Sequence, residues 1–215
     1  MSRCQCEEIE GVFDKDLAED DLARIRRRGP ARTTRWLLEA IQARGVGGRT
    51  LLDIGGGVGA IQHQLLSRGL KTAIHVDASS GYLKVARKEA RRLGLEDRVS
   101  FHHGNFVDLA PEIPPADIVT LDRVICCFDD MPELVASSAS KARSLYGLVY
   151  PRNAWWANLA VGLLNLWRRF RKDDFRIFNH SARRVESILG EHGLSRTFHR
   201  VTLFWQVALF EKEPS

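Results

Sequence analysis

The 215-residue chain has no run of apolar residues long enough to cross a bilayer. Its first residues, Met1-Ser2-Arg3-Cys4-Gln5-Cys6-Glu7-Glu8, lack the basic, apolar and small-residue sections of a secretory signal. A cytoplasmic location is the expectation from these two absences. Cysteine is sparse: four residues form two close pairs, Cys4/Cys6 and Cys126/Cys127. Neither spacing is the two-residue separation of paired zinc ligands, so no metal site is expected. Reduced thiols are the plain reading; a soft metal or metalloid held by both pairs together is the sharper one. There is no repeat of fixed period and no low-complexity stretch. A zinc knuckle, an RNA-recognition signature, a basic zipper and an Asn-Pro-Pro-Tyr-like base-flipping motif are all missing, so nucleic acid is not the expected partner.

Apolar residues make up 44% of the chain, enough for one substantial core but not for two full domains. The net charge of +5 comes mainly from arginine, clustered at Arg24, Arg26, Arg27, Arg28, Arg32 and Arg35, and again at Arg168, Arg169, Arg171 and Lys172. Such clusters are usually solvated faces; an anionic substrate or a membrane surface fits them as well.

Residues from about Asp20 to Arg44 read as helix interrupted at Gly29-Pro30. Thr50–Ile54, Thr72–Asp77, Val99–His103, Asp117–Leu121 and Leu145–Tyr150 read as short buried strands, the last stopped by Pro151. Helices follow at Ala60–Leu66, from Ser79 or Ser80 through Leu93, and from near Pro132. Strands alternating with helices predict a parallel sheet covered on both faces. After a helix over Ser181–His192, runs at Arg196–Leu203 and Phe204–Phe210 predict an antiparallel hairpin.

Asp53-Ile54-Gly55-Gly56-Gly57-Val58-Gly59 lies between a strand and a helix, where glycines let the backbone turn sharply and approach a ligand. No Lys-Ser or Lys-Thr follows, which excludes a Walker loop. Asp77 lies 24 residues after Asp53 at the end of the next strand, where a carboxylate can accept from both hydroxyls of a ribose. An acidic residue at position 53 would repel a pyrophosphate but suits a sulfonium cofactor with a charged amino-acid tail.

From about Thr33 to Lys212 the chain resembles the class I, or seven-stranded Rossmann-like, S-adenosylmethionine-dependent methyltransferases. Asp53 to Gly59 resembles the family's first motif, Asp77 its ribose-binding acid, and Gly104-Asn105-Phe106 its Gly-Asp-Phe element, with Asn105 in place of the usual aspartate. An asparagine oxygen can still accept from an adenine amino group. Asp122 to Cys127 matches the segment that passes beneath the methionine end of the cofactor. The general layout is nearest to the ubiquinone and Mg-protoporphyrin methylating enzymes. The resemblance implies an α/β fold: a three-layer, doubly wound, mostly parallel seven-stranded sheet with a C-terminal antiparallel hairpin and an N-terminal helical extension. It implies one methyltransferase domain over 1–215, divided into a helical cap (1–45), a cofactor-binding core (46–150), a variable substrate lid (151–180) and a C-terminal helix and hairpin (181–215). S-adenosyl-L-methionine would be held by Asp53, Gly55, Gly57, Gly59, Asp77, Ala78, Asn105, Phe106 and Asp122, with S-adenosyl-L-homocysteine as product.

Methyl transfer from a sulfonium is an in-line displacement that needs little beyond alignment. If the acceptor is a hydroxyl or acid, the candidate bases are His180, then Asp122 and Tyr150. The expected partner is a small apolar or amphipathic methyl acceptor. Trp155 to Trp167 is unusually apolar and reads as a lid, a peripheral membrane contact or a homodimer contact. The rival functions are a catalytically inactive cofactor-binding regulatory or assembly protein and a nucleotide-dependent oxidoreductase.

Overall fold

The computed structural model describes residues 10–152 and 178–213. Cys4, Cys6, the apolar stretch from Trp155 to Trp167 and the basic cluster after it lie outside the described residues. After the helical residues 10–12, the stretch read as one interrupted helix holds two helices among the described residues. The first, α1 (Lys15–Arg28), starts earlier than the apolar spacing suggests, because the Asp14 side chain accepts from Leu17 N–H and caps it. Gly29, with φ of 74°, closes α1 by donating to Ile25 O, and α2 (Arg32–Gln42) follows.

The alternating pattern then yields β1 (Thr50–Ile54), α3 (Ala60–Leu66), β2 (Thr72–Asp77), α4 (Ser80–Arg92), β3 (Val99–His103), the single turn α5 (Phe106–Leu109) and β4 (Ala116–Asp122). It continues through α6 (Met131–Ser140), β5 (Ala142–Pro151), α7 (Ala182–Glu191), β6 (Leu194–Val201) and β7 (Trp205–Lys212). Strand β5 is longer than expected at both ends. Pro151 does not stop it, since the last position of a strand needs no N–H and Pro151 O still accepts from Gln206 Nε2. The hairpin turn also falls elsewhere. Thr202 N–H donates to Trp205 O and Thr202 Oγ1 accepts from Trp205 N–H, so Leu203 and Phe204 form the tip instead of ending the strands.

The seven strands lie in the order β3-β2-β1-β4-β5-β7-β6. The first five are parallel, and β7 inserts antiparallel between β5 and β6. Alternation along the strands supplies both faces. Leu51, Ile118, Leu145 and Leu209 pack with Leu37, Ile41 and Leu65 of α2 and α3; Leu52, Val119, Tyr146 and Phe210 pack with Leu134, Val135, Val185 and Leu189 of α6 and α7. Gly147, in the middle of β5, lets α2 sit close: a Cβ there would lie 2.7 Å from Leu37 Cδ1. Among the described residues, no helix is long and apolar enough to cross a membrane.

The N-terminal segment seats on α4. Tyr82 Oη donates to Asp21 Oδ2 at 2.7 Å, Ser79 Oγ donates to Phe13 O, and the Glu10 carboxylate accepts from Ser80 N–H at 2.8 Å. Ala18, Leu22, Val58, Tyr82 and Val85 form a small apolar cluster beneath this contact.

Candidate functional site

The sheet order reverses between β1 and β4, and loops leaving their carboxyl ends diverge there, the position where open α/β sheets bind ligands. A cavity of about 290 Å³ opens at this point. The turn from Gly55 to Val58 forms one wall. Asp77 and Ala78 after β2, Gly104 to Phe106 after β3, and Asp122 to Val124 after β4 form others. Phe13, Ile25, Ala31 and Thr34 of the N-terminal segment close the remaining side.

The turn needs its glycines for space as well as for conformation. Gly55 has φ of +61°, and a Cβ there would lie 2.5 Å from Val124 Cγ2. At Gly56 a Cβ would lie 2.8 Å from the His75 ring and 3.0 Å from Asp53 Oδ2. Behind the turn, His75 is fully buried and Nδ1 lies 2.9 Å from Gln62 Oε1. Burial pushes the His75 pKa down to about 3 and that of His63 to about 4. Both imidazoles are therefore neutral near pH 7 and bring no positive charge to the site.

Asp53 Oδ1 accepts from Thr120 Oγ1 at 2.7 Å, while Oδ2 is buried with no hydrogen-bond partner. Burial raises its carboxyl pKa to about 7; Thr120 opposes the rise, and Asp122 and Asp77 add to it. Asp77 is held by two main-chain donors, Gly57 N–H to Oδ2 and Ser79 N–H to Oδ1, each at 2.9 Å. Each oxygen keeps a second lone pair for a ligand. Asp122 Oδ2 accepts from Thr34 Oγ1, and Oδ1 is buried without a hydrogen bond, 3.9 Å from Arg123 Nε. Burial again raises its carboxyl, against the pull of Arg123 and Thr34.

Arg123 has φ of 63°, the only positive value at a non-glycine among the described residues. It donates from Nη2 to Thr33 Oγ1 at 2.8 Å, and its guanidinium lies 5.0 Å from the centre of the Trp205 ring. A strained backbone of this kind is held by its surroundings and is common at functional sites.

Of the residues singled out from sequence, Asp53, Gly55, Gly57, Asp77, Ala78, Asn105, Phe106 and Asp122 line the cavity together. Gly59 does not; with φ of 82° it caps α3. Asn105 Oδ1 accepts from Val107 N–H, so it also caps α5. His180 and Tyr150 are not in the lining. His180 Nε2 donates to Phe128 O at 2.8 Å, and burial lowers its pKa. Tyr150 points with Tyr146 and Leu148 into the α6/α7 side of the core, where its buried hydroxyl has no hydrogen-bond partner and its pKa is raised. Sequence reading missed Thr34, Thr120 and Tyr82. Thr120 alone left a trace, as a polar residue inside the apolar run of β4.

Three carboxylates, Asp53, Asp77 and Asp122, thus line one cavity beside a glycine turn, at the place where doubly wound sheets bind nucleotide-type ligands. Residues 51–144 match the family model described as a methyltransferase domain. The release factor glutamine methyltransferase of Rhodospirillum rubrum is 36% identical over 131 residues, covering 54% of this chain; the match spans only 38% of that relative's length. Magnesium protoporphyrin IX methyltransferase from Synechocystis PCC 6803, solved with bound SAH, has a similar fold with a TM-score of 0.76 at 17% identity, covering 95% of this chain and 98% of that one. An O-methyltransferase family protein from Burkholderia thailandensis aligns with a TM-score of 0.66 at 19% identity, covering 93% and 63%. The chain therefore has the Rossmann-like methyltransferase fold, and its residues 51–144 match a methyltransferase domain.

Proposed function

We propose that the chain binds S-adenosyl-L-methionine in this cavity and passes its methyl group to a small apolar or amphipathic acceptor, leaving S-adenosyl-L-homocysteine. One observation carries the reading: two buried carboxylate oxygens, Asp53 Oδ2 and Asp122 Oδ1, lack hydrogen-bond partners beside a cavity that both residues line. A buried acceptor left in that state costs about 1–3 kcal/mol. A cationic ligand with N–H donors relieves that cost, whereas a pyrophosphate would add like charge.

The remaining residues fit the same ligand. Asp77 takes the ribose hydroxyls, the main chain of Gly55 and Gly57 permits close approach, and Ala78, Asn105 and Phe106 flank the base. The bound cofactor supplies an electrophilic methyl group on a sulfonium. Val124, Phe128, Leu134 and Ile25 give the cavity an apolar wall that excludes water and favours an apolar acceptor. Of the three candidate bases only Asp122 lines the cavity, and it takes the proton where the acceptor is a hydroxyl or an acid.

The named relatives act on chemically different acceptors, one on a glutamine of a release factor and one on magnesium protoporphyrin IX. The apolar wall favours an acceptor nearer the second. Incubating the full chain with methyl-labelled cofactor and a metabolite extract tests this. Label in an apolar or amphipathic small molecule is the expected result. Cofactor binding without any labelled product would overturn catalysis in favour of a cofactor-binding regulatory protein, and label confined to protein or RNA would overturn the acceptor class.

A further inference from the structure

Among the described residues, large apolar side chains are exposed at Leu17, Leu93, Val201, Leu203 and Phe204, and three of these five sit at one place, the β6–β7 hairpin tip. Leu203 is 65% exposed and Phe204 51%. The tip is fixed in position. The Thr202–Trp205 bonds close the turn, and Arg152 clamps it from the end of β5, with its N–H donating to Phe204 O and its guanidinium to Thr202 O.

Cations stack on aromatic rings of the hairpin and of α2. Arg200 and Arg32 both lie over the Trp36 ring, at 5.1 and 4.6 Å from its centre, and Arg123 lies over Trp205. The sequence contains no Asp or Glu in residues 22–38 or in residues 194–210, the stretches that supply this face. An exposed apolar tip on a hairpin that carries arginine and tryptophan, with no acidic residue in either stretch, matches the boundary of an anionic bilayer: aliphatic groups enter the acyl region while cations meet lipid phosphates. RNA would use the arginines, but an aliphatic side chain as exposed as Leu203 adds nothing to phosphate binding.

We infer that the β6–β7 hairpin tip and its flanking arginines dock the protein on an anionic membrane surface. The surface adjoins the cavity, because Trp205 at its edge carries Arg123 of the cavity wall. Docking thus sets the acceptor side of the site beside the lipid headgroups. The inference is independent of whether the site is catalytic.

Sedimentation of the full chain with vesicles tests it. Binding to phosphatidylglycerol/phosphatidylcholine vesicles, weak binding to pure phosphatidylcholine and loss of binding in high salt are expected. The L203E/F204E variant should lower the partition coefficient about tenfold or more, and R32E/R200E should do the same at low salt. Both variants change exposed positions, so an unaltered melting temperature and unaltered S-adenosylhomocysteine binding serve as folding controls. Vesicle binding unaffected by L203E/F204E, equal binding to neutral vesicles, or salt-sensitive RNA binding without vesicle binding would each overturn the inference.

Discussion

Thr120 donates a 2.7 Å hydrogen bond to Asp53 Oδ1 between register partners of β1 and β4, while the other oxygen of Asp53, buried against the glycine turn, receives none. Burial poises the carboxyl with a pKa of about 7, against the pull of the Thr120 bond. A cationic ligand needs it ionised. The affinity for S-adenosylhomocysteine should therefore rise about tenfold between pH 6 and 8, and Asp53→Asn should flatten that rise. Calorimetric titration across this range is the check.

The same shift makes a stability prediction. A folded-state pKa raised above the unfolded value means that the contribution of Asp53 is fully present below about pH 4 and is lost as pH rises through about 7. Relative to Asp53→Asn, the ligand-free protein should lose melting temperature across that window. Parallel thermal melts at pH 4.5 and 7.5 measure the difference.

Thr120→Val removes the bond that opposes the raised pKa of Asp53. The midpoint of the binding profile should move to higher pH, at a cost of about 1–2 kcal/mol in stability. A profile that stays in place would show that Thr120 only fills the core.

Gly56→Ala drives a Cβ against the buried His75 ring and Asp53, so it should abolish S-adenosylhomocysteine binding and cost about 1–3 kcal/mol. Gly147→Ala presses on the flexible end of Leu37, away from the cavity. It should lower stability by about 1 kcal/mol and leave affinity within twofold. Chemical denaturation and titration of the two variants separate a ligand role from a packing role.

Tyr82→Phe removes the hydroxyl bond that holds α1 over the cavity through Asp21. Dissociation of S-adenosylhomocysteine should speed up several-fold with little change in association, since the cap is loosened but the sheet-side walls are intact. Stopped-flow displacement reads both rates.

The strands and the first helices beside them were legible because apolar runs bounded by glycine and acidic residues carry their own local signal. Asp77 was legible through its spacing from Asp53. The start of α1 was not, because Leu17 is exposed and only Ala18 and Leu22 are buried on that helix, so its apolar period is faint and the Asp14 cap decides the boundary. The hairpin turn was misplaced because a Thr202 side chain, not a glycine, closes it. His180 and Tyr150 carry suitable chemistry, but spacing does not tell which face of β5 Tyr150 takes or what His180 meets across 52 residues of sequence. Thr34 came into view only in three dimensions, because it meets Asp122 across 88 residues, and the contact of Arg123 with Thr33 spans 90.

The most direct test of the cofactor site is calorimetric titration of the full chain with S-adenosylhomocysteine, with NAD in parallel and with Asp77→Ala as the variant. One-to-one binding of S-adenosylhomocysteine, no binding of NAD, and loss of binding in a variant that still melts cooperatively are predicted. Preferential binding of NAD, or affinity unchanged in Asp77→Ala, would contradict the account.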